Sequence, residues 1–194
     1  MNIPSPYRQK LEETLKKEVI FLKGKTLNIG AGNIQYRELA EQMVCIDAVK
    51  FPGIDKVMDF MKGLKFKDNS FDNVLCTNVL EHVSKPGFLV EEIRRVLKKD
   101  GQAIIITPFM ERFHPDPKDY WRVSEQGLKE VFFKKFKSVK IIKIGNRFTL
   151  ISTMIHDSFI PTPLKKLFNW FLKKIGNRFQ DKNYYLATLA IAKP

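Results

Sequence analysis

The chain has 194 residues, 44% of them hydrophobic, which is enough for a well-packed core in one domain spanning residues 1–194. No apolar run approaches the roughly 20 residues that a membrane-spanning helix requires, and residues 1–23 carry too many charges for a secretory signal, so we expect a cytoplasmic protein. The net charge of +13 comes from 26 lysines and eight arginines. This balance favours nonspecific attraction to anionic surfaces, or a solvated surface without a partner, over reading of nucleic-acid sequence.

An N-terminal helix is predicted within residues 1–23. Ser5 is a suitable N-cap, and Pro6 suits the first helical position. Apolar residues then recur every three or four positions: Tyr7, Leu11, Leu15, Val19 and Leu22. The pattern indicates a helix that packs on the core and ends at Gly24.

A glycine turn follows the first predicted strand. Residues 27–29 form a short apolar segment that breaks at Gly30-Ala31-Gly32-Asn33, after which residues 34–42 have a helical pattern. Glycines between a strand and a helix let the backbone turn sharply and let a ligand approach closely. We therefore expect Gly30 and Gly32 to bind a ligand, with a purely structural turn as the alternative.

The second predicted strand, residues 44–48, carries Asp47 near its end. A carboxylate at this position accepts hydrogen bonds from ribose hydroxyls in nucleotide-binding sheets; a helix cap or a surface charge is the alternative role. A dinucleotide fingerprint would place Gly or Ala at position 35, where this chain has Gln35. The pattern therefore favours a nucleoside without a pyrophosphate.

Strands and helices continue to alternate along the chain, which indicates a doubly wound, mostly parallel α/β sheet. The further predicted strands are residues 56–58, 71–77, 102–107, 138–144 and 186–192, and the further helices are residues 88–97 and 124–132. Residues 108–123 are rich in proline, aromatic and charged residues, and we expect an ordered loop over the carboxyl ends of the strands. Cys45 and Cys76 fall in predicted strands, so we expect buried, reduced thiols.

Residues 145–183 separate the last two predicted strands and contain two helical patterns, residues 148–159 and 164–175. The second pattern has lysines beside an apolar stripe, and the stripe consists of Leu164, Leu167, Phe168, Phe171, Leu172 and Ile175. Three roles are open for this helix: packing on its own domain, peripheral membrane contact with Trp170 and the lysines at the lipid surface, or a dimer contact.

Six segments, in order between residues 25 and 107, resemble the class I S-adenosylmethionine-dependent methyltransferases, in particular the small-molecule, type 11-like group with a Val-Leu-Glu-His-Val segment. The segments are residues 27–33, 45–47, 57–60, 68–72, 79–83 and 95–101. The resemblance implies a Rossmann-like, seven-stranded sheet whose last two strands pair as a hairpin, with the closing strand antiparallel. In this chain residues 145–183 interrupt that hairpin as a helical insertion before the last strand. The resemblance also implies S-adenosyl-L-methionine as the cofactor and methyl transfer by direct displacement.

The same resemblance implies a set of cofactor-binding residues: Asn28, Gly30, Gly32, Asp47, Asp59, Phe60 and Asn78. In that assignment the two glycines and Asn78 lie beside the methionine part of the cofactor, and Asp47 binds the ribose. Asp59 and Phe60 recognise adenine, with a loop acid and a core aromatic as the alternative. Asn28 stands where the family commonly has an acidic residue, so it cannot offset the charge of the cofactor's ammonium group.

His114 and His82 are the candidate catalytic residues. His114 lies in the loop of residues 108–123, and histidine is the residue type best suited to act as a general base for a hydroxyl acceptor at physiological pH. His82 follows the strand of residues 71–77; a packed imidazole, with Glu81 as a helix cap, is the alternative. No metal site is predicted.

The sequence favours a methyltransferase that acts on a small-molecule, saccharide or lipid-linked acceptor. An Asn-Pro-Pro-Tyr-type motif, which grips a flipped base, is absent after the fourth strand, where the chain reads Cys76-Thr77-Asn78-Val79. Nucleic acid is therefore disfavoured. Two alternatives stay open: an RNA methyltransferase, and a non-catalytic, methyltransferase-like protein that associates with membranes.

Overall fold

The computed structural model describes residues 5–33, 36–115, 117–179 and 181–194. The strands in this part of the chain are β1 (Leu22–Ile29), β2 (Ala40–Asp47), β3 (Lys56–Val57), β4 (Phe71–Thr77), β5 (Leu97–Pro108), β6 (Ser138–Ile144) and β7 (Ala187–Lys193). They form one seven-stranded sheet in the order β3-β2-β1-β4-β5-β7-β6. The first five strands are parallel, and β7 is antiparallel to both of its neighbours. The predicted Rossmann-like sheet with an antiparallel last strand is confirmed.

Helices cover both faces of the sheet: α1 (Pro6–Glu18), α2 (Pro86–Val96), α3 (Arg147–His156) and α4 (Thr162–Gly176). Successive residues of a strand point to opposite faces, so β5 contributes Ala103 and Ile105 to one core and Ile104 and Ile106 to the other. The first core contains the apolar stripe of α2, and the second contains that of α1. Each face of the sheet therefore has its own apolar layer, as winding on both sides requires.

Helix α1 begins as predicted but ends early. The Ser5 hydroxyl accepts a hydrogen bond from the Arg8 N–H at 3.2 Å, which caps the helix. The helix ends at Glu18 because β1 already begins at Leu22. The prediction that Gly24 ends the helix was wrong: with a φ of +75°, Gly24 lies at an irregularity in the pairing of β1 with β2.

The helix predicted for residues 34–42 was wrong in its second half. Residues 34 and 35 lie outside the described residues, Arg37–Leu39 form one 3₁₀ turn, and Ala40 begins β2. From Ala40 onward β2 pairs with β1, and this tertiary pairing overrides the local helical pattern. The helix predicted for residues 124–132 is present, but Gly127–Phe132 have π-helical hydrogen bonding.

The segment between β6 and β7 folds as α3 and α4, which confirms the two helical patterns predicted for it. Ile144 pairs with Ala187, and Ala187 pairs with Pro108 at the end of β5. The insertion therefore leaves and rejoins the sheet at its carboxyl edge, where ligands bind in parallel sheets. Across the described residues, no helix combines the length and the apolar character needed to cross a membrane.

Candidate functional site

The glycine loop after β1 lies against Asp47 at the end of β2. The Gly32 N–H donates to Asp47 Oδ2 at 2.9 Å, and the Val49 N–H donates to Asp47 Oδ1 at 3.0 Å. The Ala31 N–H donates to the carbonyl of Ile46 at 3.1 Å. Asp47 therefore fixes the loop, and each of its carboxylate oxygens keeps a further acceptor position for a ligand hydroxyl.

The two loop glycines are required for different reasons. Gly30 has a φ of +64°, and a Cβ at this position would lie 2.3 Å from Val79 Cγ2. Gly32 has a φ of +50°, but no atom of the described residues lies within 4 Å of its Cβ position. Gly30 thus lets the loop pack against the segment after β4, whereas a side chain at Gly32 would enter the open space beside the loop, where a ligand would lie.

The two predicted asparagines differ in their surroundings. Asn28 is 1% exposed within β1, and its side chain hydrogen bonds with the Cys45 thiol. Asn78 follows β4 with a φ of +54°, and its Oδ1 accepts a hydrogen bond from the Tyr7 hydroxyl at 3.0 Å. Burial raises the pKa of Tyr7 far above its usual range, so the phenol remains a donor. The start of α1 therefore borders the crevice beside Asn78.

Asp59 and Phe60 lie beside the end of β2, because the Met58 N–H donates to the Asp47 carbonyl at 2.9 Å. Asp59 is exposed and caps a short turn, with its Oδ1 accepting from the Met61 N–H at 2.9 Å. Phe60 is buried in the core. These contacts are those of a loop acid and a core aromatic, the alternative roles, and recognition of adenine by the two residues stays a prediction.

The two candidate catalytic histidines lie in one cluster with Glu81. His82 Nε2 is 3.8 Å from Glu81 Oε1, and His114 Nε2 is 3.9 Å from the same oxygen. The centroids of the two imidazole rings are 5.1 Å apart. The Nδ1 atom of His82 lies 2.6 Å from the Lys118 carbonyl oxygen, and that of His114 lies 2.9 Å from the Arg112 carbonyl oxygen. The loop after β5 thus meets the segment after β4 at this cluster.

Glu81 is the buried member of the cluster. It is 0% exposed, and neither of its carboxylate oxygens has a hydrogen-bond partner among the described residues. Burial raises the pKa of Glu81 to about 8, and the N–H of its own backbone and the charge of Arg122 oppose that shift. The helix-cap role considered for Glu81 is not found, since the short turn at Leu80–His82 has no side-chain cap. A buried carboxyl group that no other residue supplies with a donor favours a bound proton or a cation.

The loop between β5 and the π-helix is fixed by its own polar contacts. Asp119 Oδ2 accepts from Arg122 Nη2 at 2.7 Å and from the His114 N–H at 2.9 Å. Hydrogen bonding from Arg122 lowers the pKa of Asp119 well below its usual range. Trp121 Nε1 donates to the Val83 carbonyl at 2.9 Å. The tryptophan therefore anchors the loop to the segment after β4.

Sequence reasoning missed two residues beside this cluster, Tyr7 and Glu111. The charges of Glu81 and Glu111 both contribute to the raised pKa of Tyr7, after burial, so both carboxyl groups lie near the phenol. Burial also raises the pKa of Glu111, and its Oε2 lacks a hydrogen-bond partner within the described part of the chain. Tyr7 belongs to the apolar stripe of α1 and Glu111 to an irregular loop, so no sequence pattern marks either residue.

Two features of the carboxyl edge would suit a nucleoside ligand. Asp47 supplies acceptors for hydroxyl groups, and the loop beside Gly32 is open to a ligand. A separate broad groove runs between α1, β6 and the helical insertion. None of the predicted cofactor residues or candidate catalytic histidines lines that groove. The predicted site and the groove are therefore different parts of the described structure.

Comparison with known proteins agrees with this geometry. Residues 27–105 match a family model described as a methyltransferase domain. An uncharacterized protein of Methanocaldococcus jannaschii is 28% identical, over 82% of this chain and 65% of that protein. The chain thus spans slightly less than two thirds of the length of this curated relative.

Solved structures share the fold over nearly the whole chain. An S-adenosylmethionine-dependent methyltransferase from Archaeoglobus fulgidus superposes with a TM-score of 0.66 at 20% identity, covering 96% of this chain and 94% of that one. A phosphoethanolamine N-methyltransferase of Haemonchus contortus, in complex with phosphomonomethylethanolamine and S-adenosylhomocysteine, has a TM-score of 0.61 at 17% identity, covering 100% of this chain and 54% of that one. The resemblance to class I S-adenosylmethionine-dependent methyltransferases is confirmed by the fold and by the match over residues 27–105.

Proposed function

We propose that this chain, which has the class I methyltransferase fold, transfers a methyl group from S-adenosyl-L-methionine to an acceptor by direct displacement. The observation that carries the proposal is the contact of the Asp47 carboxylate with the Gly32 N–H, which leaves acceptor positions at the carboxyl edge of the sheet. The bound cofactor supplies a methyl group that is already activated on a sulfonium. The task of the protein is to align the acceptor and to exclude water.

Each part of the cofactor has a proposed contact. Asp47 would bind the ribose hydroxyls, and Asp59 with Phe60 would meet the adenine. Asn78, held by the Tyr7 hydroxyl, would line the methionine side together with the glycine loop. Asn28 has the weakest case for a contact with the cofactor, because its side chain already hydrogen bonds with the Cys45 thiol within the sheet.

The position of α4 bears on the acceptor. Five side chains of α4 form an exposed apolar helix face, each between 45% and 62% exposed: Leu164, Leu167, Phe168, Trp170 and Phe171. The helix meets α3 through other residues, since Asn169 Oδ1 accepts from the Ser152 hydroxyl at 2.7 Å. Most of the predicted stripe therefore faces away from the domain, which argues against the hypothesis that it packs on its own core.

The charges around this face match an anionic lipid surface. Helix α4 carries four lysines and no acidic residue, and Lys166 and Lys174 are exposed. Lysines beside exposed aromatic and leucine side chains are typical of helices that lie in a membrane interface. Because the insertion joins the sheet at the carboxyl edge, a bound α4 would hold the crevice close to the lipid. We therefore favour a lipid-linked acceptor over a freely diffusing small molecule or saccharide.

Calorimetric titration with S-adenosylmethionine tests the cofactor site. We expect Asp47→Ala to weaken binding by more than about tenfold, because a charge-assisted acceptor is lost. Asp100→Ala, at an exposed position of β5, is the matched control and should bind like the wild type. Equal affinity in all three proteins would show that Asp47 does not bind the ribose.

Vesicle sedimentation tests the membrane part of the proposal. The wild type should sediment with phosphatidylglycerol vesicles but not with phosphatidylcholine vesicles, and the Phe168→Glu/Phe171→Glu variant should remain in solution. Val131→Glu, which changes another exposed apolar residue, should bind like the wild type. Equal binding by the double variant would reject the membrane role. A dimeric wild type together with a monomeric double variant would instead assign this face to a dimer contact.

Methyl transfer from labelled cofactor identifies the acceptor class. A cell lysate is separated into lipid extract and aqueous fraction, and each is incubated with the protein for a single turnover. We expect label in the lipid extract. Label in RNA would favour the RNA methyltransferase alternative, and label in no fraction, despite measured cofactor binding, would favour the non-catalytic one.

A further inference from the structure

The cluster of Glu81, His82 and His114 presents three metal-ligand side chains to one point. One ligand atom from each residue, a carboxylate oxygen or an imidazole nitrogen, lies within 4.8 Å of the others. Two of the side chains are carried by the short turn after β4, and the third by the loop after β5. The Asp119 and Trp121 contacts that fix this loop also fix the position of His114.

Hydrogen bonding orients both imidazoles with a lone pair toward Glu81. His82 Nδ1 lies 2.6 Å from the Lys118 carbonyl, and His114 Nδ1 lies 2.9 Å from the Arg112 carbonyl. A carbonyl oxygen can only accept, so each Nδ1 carries the hydrogen and donates it. Each Nε2 is then an unprotonated nitrogen, and both Nε2 atoms face the same Glu81 oxygen.

The resulting point is rich in lone pairs and receives no hydrogen bond from another side chain of the described residues. Neither Glu81 oxygen has a hydrogen-bond partner among the described residues. The guanidinium of Arg122 is paired with Asp119 at 2.7 Å, and its 3.5 Å contact with His114 is with Nδ1 rather than with the Nε2 that faces Glu81. The charge of His114 acts on Glu111, so a further carboxyl group lies near the cluster. A cation at this point would satisfy groups that the protein itself leaves unsatisfied.

We propose that Glu81, His82 and His114 bind one divalent first-row transition-metal ion, with zinc as the best match. Two imidazole nitrogens and one carboxylate form a common donor set for such ions. Bonds of about 2.0–2.1 Å in a tetrahedral site place ligand atoms about 3.4 Å apart. The two separations from Glu81, 3.8 Å and 3.9 Å, need to close by about half an ångström, and all three ligand atoms lie within 4.8 Å of one another.

The hydrogen bonds that usually orient metal-binding histidines are already present. Metal-binding histidines usually donate their other ring N–H to a backbone carbonyl or a carboxylate. Both histidines do so here, and His114 Nδ1 also lies 3.5 Å from Asp119 Oδ2. Three protein ligands would leave a fourth position for water or for an oxygen of a bound molecule.

This proposal departs from two expectations taken from the sequence. The sequence predicts no metal site, and it assigns His114 and His82 as candidate general bases. A nitrogen that ligates a metal has no lone pair left to accept a proton, so the metal role replaces the base role. Metal binding does not depend on methyl transfer, and it is measured independently of the cofactor.

Titration of the metal-free protein with Co²⁺ and Zn²⁺ tests the proposal directly. The protein is treated with a chelator, and Co²⁺ binding is followed by visible absorption and Zn²⁺ binding by calorimetry. We expect one ion per chain. Glu81→Gln and His114→Gln should each weaken binding by more than the ~10–100-fold that a change outside the ligand shell causes.

His156→Gln is the matched control, because His156 lies in α3 and is the chain's remaining histidine. It should bind like the wild type. If Glu81→Gln fails to fold by circular dichroism, His114→Gln, on the partly exposed loop, carries the test. Absence of binding by the wild type overturns the proposal, as does binding that both cluster variants retain or that His156→Gln removes.

Discussion

Replacement of Gly30 by alanine would test how the loop after β1 is shaped. The new Cβ would lie 2.3 Å from Val79 Cγ2, far inside the contact distance of about 3.5–4.0 Å between carbon atoms. Gly32 provides the comparison, since its φ of +50° is close to the +64° of Gly30, while its Cβ position is open. The two substitutions therefore share backbone strain, and only one adds a steric overlap.

The expected cost follows from these two contributions. Left-handed backbone costs an L-residue about 1–2 kcal/mol, and forced overpacking adds about 1–3 kcal/mol. We expect a loss of unfolding free energy of about 1–2 kcal/mol for Gly32→Ala and about 2–5 kcal/mol for Gly30→Ala. The reduced entropy of the unfolded chain offsets part of the loss equally in both variants, so their difference is the sharper quantity.

Urea unfolding followed by tryptophan fluorescence measures these free energies. A double-mutant cycle with Val79→Ala isolates the overlap, because that change removes the methyl groups in the way. The Gly30→Ala/Val79→Ala protein should be more stable than the sum of the single changes by about 1–3 kcal/mol. Equal losses for the two glycine variants, or strict additivity in the cycle, would refute the packing argument.

Two further predictions concern titration and thiols. Hydrogen bonding from Arg95 lowers the pKa of Glu92, so its stabilisation is present above the unfolded value of about 4.3 and is lost as pH falls. Acid unfolding should show a smaller pH-dependent loss of stability for Glu92→Gln than for wild type, whereas Glu91→Gln, an exposed neighbour, should behave like wild type. Burial raises the pKa of the Cys45 and Cys76 thiols. A thiol reagent should therefore label neither cysteine in the native protein and both in urea. Rapid labelling of the native protein would contradict their burial.

Alternation of apolar segments with turn residues was sufficient to predict the sheet. The strands of residues 71–77 and 138–144 agree with the structure in both bounds, because long apolar runs between turn signals have one favourable arrangement in an α/β domain. The start of β2 was not predictable in this way. Two of residues 40–42 are polar, and only pairing with the distant β1 makes this segment a strand.

Side-chain roles at the site were predictable only in part. The position of Asp47 at a strand end follows from topology, so its contact with the glycine loop could be anticipated. The convergence of His82 and His114 on Glu81 depends on the path of an irregular loop, which no periodic pattern encodes. Burial of Glu81 is likewise a tertiary property, since a glutamate in a sequence is expected at the surface and only the fold encloses it.

The placement of β7 between β5 and β6 has a consequence for how the chain is made. Both neighbours are translated before the strand that joins them, and β6 has β7 as its sole partner in the described sheet. Until residues 187–193 leave the ribosome, β5 presents a bare edge and β6 has nowhere to dock. Such edges invite pairing with other chains. Nascent protein stalled before this point should recruit chaperones far more strongly than protein released after it.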